Sequence, residues 1–224
     1  NISTLPSKNK SENPTIGENT SFVLAQPFLN ETYEELIKAG AKCIHAPFPF
    51  GEEGTTKWLL EITKEFNLNE NKTLEITSSA RTRARDSIKK VSEKLKDKKV
   101  FFFPDSQLEI PLARFLVNEC GMKALEIGSP YINKKILGPD LNLIPNGPVI
   151  SEGQDVDLQI ERCLSSSPDI TVCGLGLANP FESKGLTTKW AIELIFSPIH
   201  GYEQAADLAS LFSRPVKRKE ILNL

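Results

Sequence analysis

The sequence predicts an α/β fold built as two Rossmann-like parallel-sheet lobes. Three observations carry this expectation. Apolar runs of strand length alternate with segments of helical period through both halves of the chain. Most of these runs stop at proline or glycine, where the strand-to-helix turns of such a fold belong. The composition, 39% hydrophobic and 25% charged over 224 residues, can fill one large core or two modest ones. Residues 1–18 are polar and aperiodic and read as a linker or surface segment. Residues 19–97 are expected to form the first lobe with a connecting helix, and residues 98–224 the second lobe with a C-terminal helix and a basic tail.

In the first lobe, "SFVLAQPF" (21–28) has the length and flanks of a buried strand. "NETYEELIKAG" follows as a helix, with Asn30 placed to cap it and Gly40 to end it. "KCIHAPF" (42–48) is the next strand, so the three segments read as a βαβ unit with a parallel pair. Trp58, Ile62 and Phe66 then stand at helical spacing. "RTRARDSIKKVSEKLKDKK" (81–99) reads as a charged, exposed helix whose acidic residues interleave the basic ones.

The second lobe repeats the rhythm. "KVFFFP" (99–104) is a buried strand. The next helix is expected to be capped near Asp105 or Ser106 and stopped at Gly121, with Pro111 implying a kink or a late start. "MKALEIG" (122–128) is a strand. A short strand near "GPVISEG" leads to a helix from Asp155. "DITVCGLGL" (169–177) is a strand, and "GYEQAADLASLFSRP" (201–215) a helix broken by Pro215.

The same numbers exclude several functions. A formal net charge of −2 offers no basic field for nucleic acid, and no apolar run approaches the ~20 residues of a membrane span. The four cysteines, Cys43, Cys120, Cys163 and Cys173, form no CxxC-type metal motif and read as buried thiols. Asn-X-Ser/Thr triplets such as those at Asn1, Asn19, Asn30 and Asn71 are what an Asn-, Ser- and Thr-rich chain gives by chance. "CGLGLANP" lacks the third glycine of a dinucleotide fingerprint, and no GxxxxGK[ST] loop is present, so the chain is not expected to hydrolyse ATP. His45 reads as a core histidine and His200 as a helix cap. Asp105 stands where a catalytic acid could be placed, or where a cap would be.

In such a fold, ligands sit beyond the carboxyl ends of the parallel strands. Several of those turns carry proline and phenylalanine, which suit a rigid apolar cleft wall. Strand-end position marks Phe28, Phe48, Ala178, Asn179, Pro180 and Phe181 as candidate substrate contacts. The two tryptophans both occur as TTKW, at Trp58 and Trp190. After Trp58 the apolar period is helical. After Trp190, Ile192, Leu194 and Phe196 alternate as in a strand, which argues against an internal duplication and for two core anchors.

"APFPFGEEGTTKWLLEI", "FFFPDSQLEIPLARFLVNECGMKALEIGSPY" and "GLANPFESKGLTTKWAIELIFSPIHGYEQAADLASLFSRPVKRKEIL" resemble the N subunits of light-independent (dark-operative) protochlorophyllide reductases, over roughly residues 20–224. That family is related to the nitrogenase molybdenum-iron protein, so the resemblance implies the nitrogenase component 1 fold. It implies a heterotetramer of N and B subunits, with a [4Fe-4S] cluster at each N–B interface. It also implies an apolar cavity for protochlorophyllide and electrons from an iron-sulfur L subunit that holds ATP-Mg. Reduction of the D-ring double bond to chlorophyllide a would follow, with protons from an Asp of the B subunit and the substrate's own propionate. The family's N subunit is about twice this length, and its cluster cysteines lie in the N-terminal half. The resemblance therefore identifies the chain as a C-terminal portion, inactive alone, with no metal ligand and no catalytic residue carried over. It implies a bacterial or cyanobacterial cytoplasm or a chloroplast stroma. A paralogue of the chlorophyllide reductase type and a two-lobed module for a small ligand stand as alternatives.

Overall fold

The computed structural model describes residues 2–7, 13–153 and 155–222, so part of the expected 1–18 linker (residues 1 and 8–12) lies outside the described residues. The chain is α/β with parallel sheets. Two short strands, β1 (Ser21–Phe22) and β2 (Lys42–Cys43), pair in parallel across helix α1 (Asn30–Lys38). Helices α2 (Gly51–Glu65) and α3 (Glu70–Ser92) follow. The rest alternates: β3 (Lys99–Phe102), α4 (Glu109–Asn118), β4 (Lys123–Ser129), α5 (Lys134–Leu141), β5 (Val149–Glu152), α6 (Val156–Ser166), β6 (Ile170–Cys173), α7 (Leu175–Glu182) and β7 (Thr188–Trp190). The chain then enters α8 (Ala191–Phe196) and α9 (Ala205–Leu222).

Strands β3 to β7 form one parallel sheet in the order β5-β4-β3-β6-β7. Successive side chains of a strand face opposite ways, and the "VFFF" run uses both faces. Val100 and Phe102 join a large cluster with Phe48, Phe50, Leu112, Phe115, Leu208 and Phe212. Phe101 and Phe103 join a smaller one with Cys163, Cys173, Ala178 and Phe181. Helices α4 and α9 therefore cover one face, and α6 and α7 the other. Each phenylalanine buried this way contributes roughly 1.5–3 kcal/mol. The large cluster also takes in Tyr33 of α1 and Ile88 of α3, so the two sheets share a core.

Several expectations are corrected. β1 and β2 are much shorter than 21–28 and 42–48. Asn30 is the first residue of α1 rather than its cap, and its amide bridges Gln107 and Asn133 instead. The charged helix starts at Glu70, capped by the Asn69 side chain, and ends at Ser92. Helix α4 starts late, at Glu109, as Pro111 allowed, and neither Asp105 nor Ser106 is its N-cap residue. Strand β6 stops at Cys173. Residues 175–182, including Ala178, Asn179, Pro180 and Phe181, are helix rather than strand end and turn. The segment after Trp190 is helix, because its buried residues are Ala191 and Leu194, three apart. Helix α9 begins at Ala205 and runs through Pro215 to Leu222, and α5, with Pro139 inside it, was not expected.

Candidate functional site

The strand order locates the site. From β3 the chain builds β4 and β5 to one side, then crosses to build β6 and β7 on the other. The order reverses between β3 and β6, the switch point at which sheets of this type form a crevice beyond the strands' carboxyl ends. Its lips are the segment Asp105–Gln107 after β3 and Gly174–Leu175 after β6. Ser129 ends β4 on the first side, and Trp190 ends β7 on the second.

Gly174 precedes α7 in an extended conformation and offers no side-chain cap. A β-carbon there would lie 2.8 Å from Asp105 Oδ1, so glycine lets the Asp105 carboxyl rest against the start of α7. Asp105 reaches solvent at the mouth of the crevice, yet burial around it pushes its carboxyl above the ordinary carboxylate range. Glu109 holds the loop: its Oε1 accepts the backbone N–H groups of Asp105, Ser106 and Gln107 at 3.0, 2.6 and 3.1 Å. On the β6 and β7 side the rim carries exposed apolar side chains, Leu175 at 54% and Trp190 at 47% exposure. The crevice thus sets a carboxyl with a raised pKa beside exposed apolar side chains.

A second region lies between α2, α3 and α4, a cleft of about 720 Å³. Glu52, Glu53, Arg85, Lys89, Asn118 and Glu119 are among its lining residues, so it does not resemble the apolar cleft the sequence predicts. Glu52 Oε1 pairs with both Arg81 and Arg85 at 3.0 Å. Behind the cleft, fully buried Arg114 donates to Asp140 at 2.9 Å, to Glu119 at 3.2 Å, and to the carbonyls of Phe48 and Phe50 at 3.0 Å. Asp140 accepts the Phe48 N–H at 2.8 Å, and Glu119 accepts the Glu52 N–H at 2.5 Å. This clamp fixes the Pro-Phe turn of residues 47–50. Burial outweighs Arg114 at Glu119 and pushes its carboxyl up to about 7.

The six predicted contacts do not share one wall. Phe48 is buried in the large cluster, while Ala178 and Phe181 are buried beneath the opposite face of the sheet, with the Phe181 ring 5.1 Å from that of Phe103 and tilted 45° to it. Asn179 and Pro180 are exposed on α7, and Phe28 is exposed after β1. His45 is exposed beside Tyr33 rather than in the core. His200 is no helix cap: its Nε2 bonds the Ala25 carbonyl at 3.0 Å, its ring meets Phe50 edge-on, and burial lowers its pKa. Trp58 is a half-buried anchor whose indole donates to the Leu24 carbonyl, whereas Trp190 faces solvent. Sequence reasoning missed Glu109, Arg114, Glu119 and Gly174. The signal for Glu109 and Arg114 was charge inside the apolar stretch "LEIPLARFLV".

The cysteines do not fit an iron-sulfur cluster. Cluster ligation needs exposed-edge thiolates converging on one point. Burial pushes Cys43 and Cys163 to about 11, Cys173 to about 12 and Cys120 well above its usual value. Among the described residues no group of three or more His, Cys, Asp and Glu could hold a metal ion, and no helix is long and apolar enough to cross a membrane.

A family model described as nitrogenase component 1 type oxidoreductase matches residues 6–217. The chain is 57% identical over 223 residues to the light-independent protochlorophyllide reductase subunit N of Dinoroseobacter shibae, covering 100% of this chain and 52% of that protein. It is 59% identical over 223 residues, with the same coverage, to the protein of that name from Jannaschia sp.. For Prochlorococcus marinus the identity is 50%, over 99% of this chain and 53% of the relative. The chain spans about half the length of the curated relatives it matches. A solved structure titled nitrogenase Cp1 at pH 5 superposes with a TM-score of 0.65 at 13% identity, over 85% of this chain and 45% of that one, a likeness of fold.

Proposed function

The chain belongs to the nitrogenase component 1 type oxidoreductases, and on that basis we propose that it is the C-terminal portion of subunit N of a light-independent protochlorophyllide reductase. The observation that carries the reading is identity of 57–59% across the whole chain to relatives bearing that name. In this reading the parent complex of N and B subunits reduces the D-ring double bond of protochlorophyllide. Electrons come from the ATP-driven iron-sulfur L subunit. The [4Fe-4S] cluster is held outside this chain, since the residues here do not fit it. No reaction step is assigned to this chain's cysteines.

The crevice supports the same reading. A chlorin-type ring is large, flat and mostly apolar, and area burial at ~25 cal/mol per Å² would favour it against exposed apolar side chains. Leu175 and Trp190 offer such area at the sheet's carboxyl rim. We assign Phe28, Asn179 and Pro180, exposed in this chain, as ring contacts, with Ala178 and Phe181 anchoring α7 beneath the sheet and Phe48 held separately in the large cluster. Asp105 would present its carboxyl to the polar periphery of the ring.

The test is anaerobic co-expression of the full-length parent with the B and L subunits, followed by dark turnover. ATP-dependent conversion of protochlorophyllide is expected. No conversion, with the cluster intact by absorption, overturns the reading. Conversion of chlorophyllide instead would assign the chain to the paralogous reductase.

A further inference from the structure

The end of the large sheet away from the switch point is basic. Strands β3 and β4 begin there, beside the last turns of α3 and α9, and Lys94 Nζ meets Glu220 Oε2 at 2.9 Å where those helices end. Residues 90–99 and 217–220, with Lys123 and Asp169, carry nine Lys and Arg against four Asp and Glu, in a chain of formal net charge −2. The hydrogen bond from Lys94, then the charges of Lys94, Lys98 and Lys217, hold the Glu220 carboxyl below its ordinary value. Lys123, then Lys96, do the same to Asp97. Asp169 is shared between the Lys98 ammonium and the Lys99 backbone N–H. Lys90, Lys96, Lys99, Lys217, Arg218 and Lys219 are left exposed, with no carboxylate in ion-pair range among the described residues.

Helix ends account for only part of this charge. A lysine in a last turn meets the negative end of the helix dipole, as Lys90 and Lys219 do. Lys96, Lys98, Lys99 and Lys123 lie off the helices. Lys99 and Lys123 are register partners on neighbouring parallel strands, and both are exposed. Like charges set opposite one another on a sheet are destabilising. Folding alone does not call for that pair, whereas an anionic surface laid across both lysines would.

We propose that this basal face is a docking surface for a protein with an acidic face. Glu93, Asp97 and Glu220 stand exposed between the lysines. A lattice of phosphates, in lipid or nucleic acid, would be repelled at each of them. An acidic protein can leave a gap or set a cation at those points. Eight of the nine cations are lysine, which lacks the fork that a guanidinium offers phosphate. Residues 90–99 and 217–220 contain no aromatic side chain on which bases could stack. Such a contact is steered by charge, so its association slows as salt rises. The face belongs to this chain's own sheet, whatever reaction the parent complex carries out.

The probe is labelled poly-L-glutamate, a flexible acidic polypeptide, titrated with the full-length parent chain and followed by fluorescence anisotropy. Saturable binding at low salt that weakens as salt rises is expected. The triple variant Lys96→Glu, Lys99→Glu and Lys217→Glu should bind the probe roughly tenfold more weakly or worse. A control triple, Lys38→Glu, Lys64→Glu and Lys72→Glu, reverses charge away from the base and should bind as the wild type does. The melting temperature of the basal triple should hold or rise, because Lys99→Glu turns a like-charge pair into an opposite one. Equal losses in the two triples would overturn the proposal. Tighter binding of duplex DNA or of phosphatidylserine vesicles than of poly-L-glutamate would overturn it too, by assigning the face to phosphate. If the basal triple melts early, Lys96→Ala, Lys99→Ala and Lys217→Ala together decide: weakened binding supports the proposal, and unchanged binding counts against it.

Discussion

Helix α4 buries a glutamate near each end, and the two are held in opposite ways. At its start, Glu109 is met by neutral groups, three amides and two hydroxyls. Just past its end, Glu119 is met by Arg114 and by one amide of α2. At the first end the donors come from the loop the glutamate organises. At the second, one guanidinium serves Glu119, the fully buried Asp140 and, at 3.9 Å, Glu53. Negative charge exceeds positive charge there. Charge held by amides thus fixes a local loop. A shared cation instead ties distant segments, residues 48–50 and 140, into one unit at the cost of an unbalanced site.

The most severe challenge to that contrast is Arg114→Met. It strands two carboxylates in the core, and removing one partner of a buried ion pair costs about 3–5 kcal/mol. The urea midpoint should fall steeply, and adding Asp140→Asn should recover part of the loss. An unchanged midpoint would mean the clamp contributes nothing.

Glu119→Gln is a finer probe. Burial raises the Glu119 carboxyl from its ordinary 4.5 to about 7 in the folded chain. The folded state therefore binds the proton more tightly than the unfolded state. Glu119's contribution is fully present below about 4.5 and is lost as pH rises through about 7. Over that window it amounts to ~3 kcal/mol. Unfolding free energies between pH 5 and 8 should decline in the wild type and flatten in the variant. Equal slopes would place the proton elsewhere. The smallest effect belongs to the amide-held end: Ser129→Ala removes one 3.3 Å bond to Glu109 and should cost about 1 kcal/mol, read as a small midpoint shift.

Much of the architecture was legible in the sequence because local signals agreed with tertiary ones. Asp155 caps α6 with bonds to two backbone N–H groups, and Gly40 takes the positive φ that ends α1. Legibility failed where packing overrode local chemistry. "GLGLANPFE" carries poor helix formers, yet forms α7 because Phe181 is drawn onto Phe103 beneath the sheet. Pro215 does not stop α9, whose buried side chains before it, such as Leu208 and Phe212, are packed into the large core. The crevice was readable as a position, beyond the strands' carboxyl ends. Asp105 was readable as a strand-end acid, but Glu109 was not, because its partners are mostly backbone, and backbone donors leave no letter in a sequence. The duplicated TTKW shows the same limit: Thr55–Trp58 are helix, and Thr188–Trp190 are strand.

The parallel run of β3 to β7 also gives the molecule a handle. The strands begin together at the edge where Lys99 and Lys123 are exposed, and finish together at the crevice. The seven residues of β4 separate Lys123 from Ser129, a span of roughly 20 Å at ~3.3 Å per residue. A dye or surface tether attached at Lys123 would therefore stand clear of the rim, leaving it open to a ring or a partner while the molecule is held from behind.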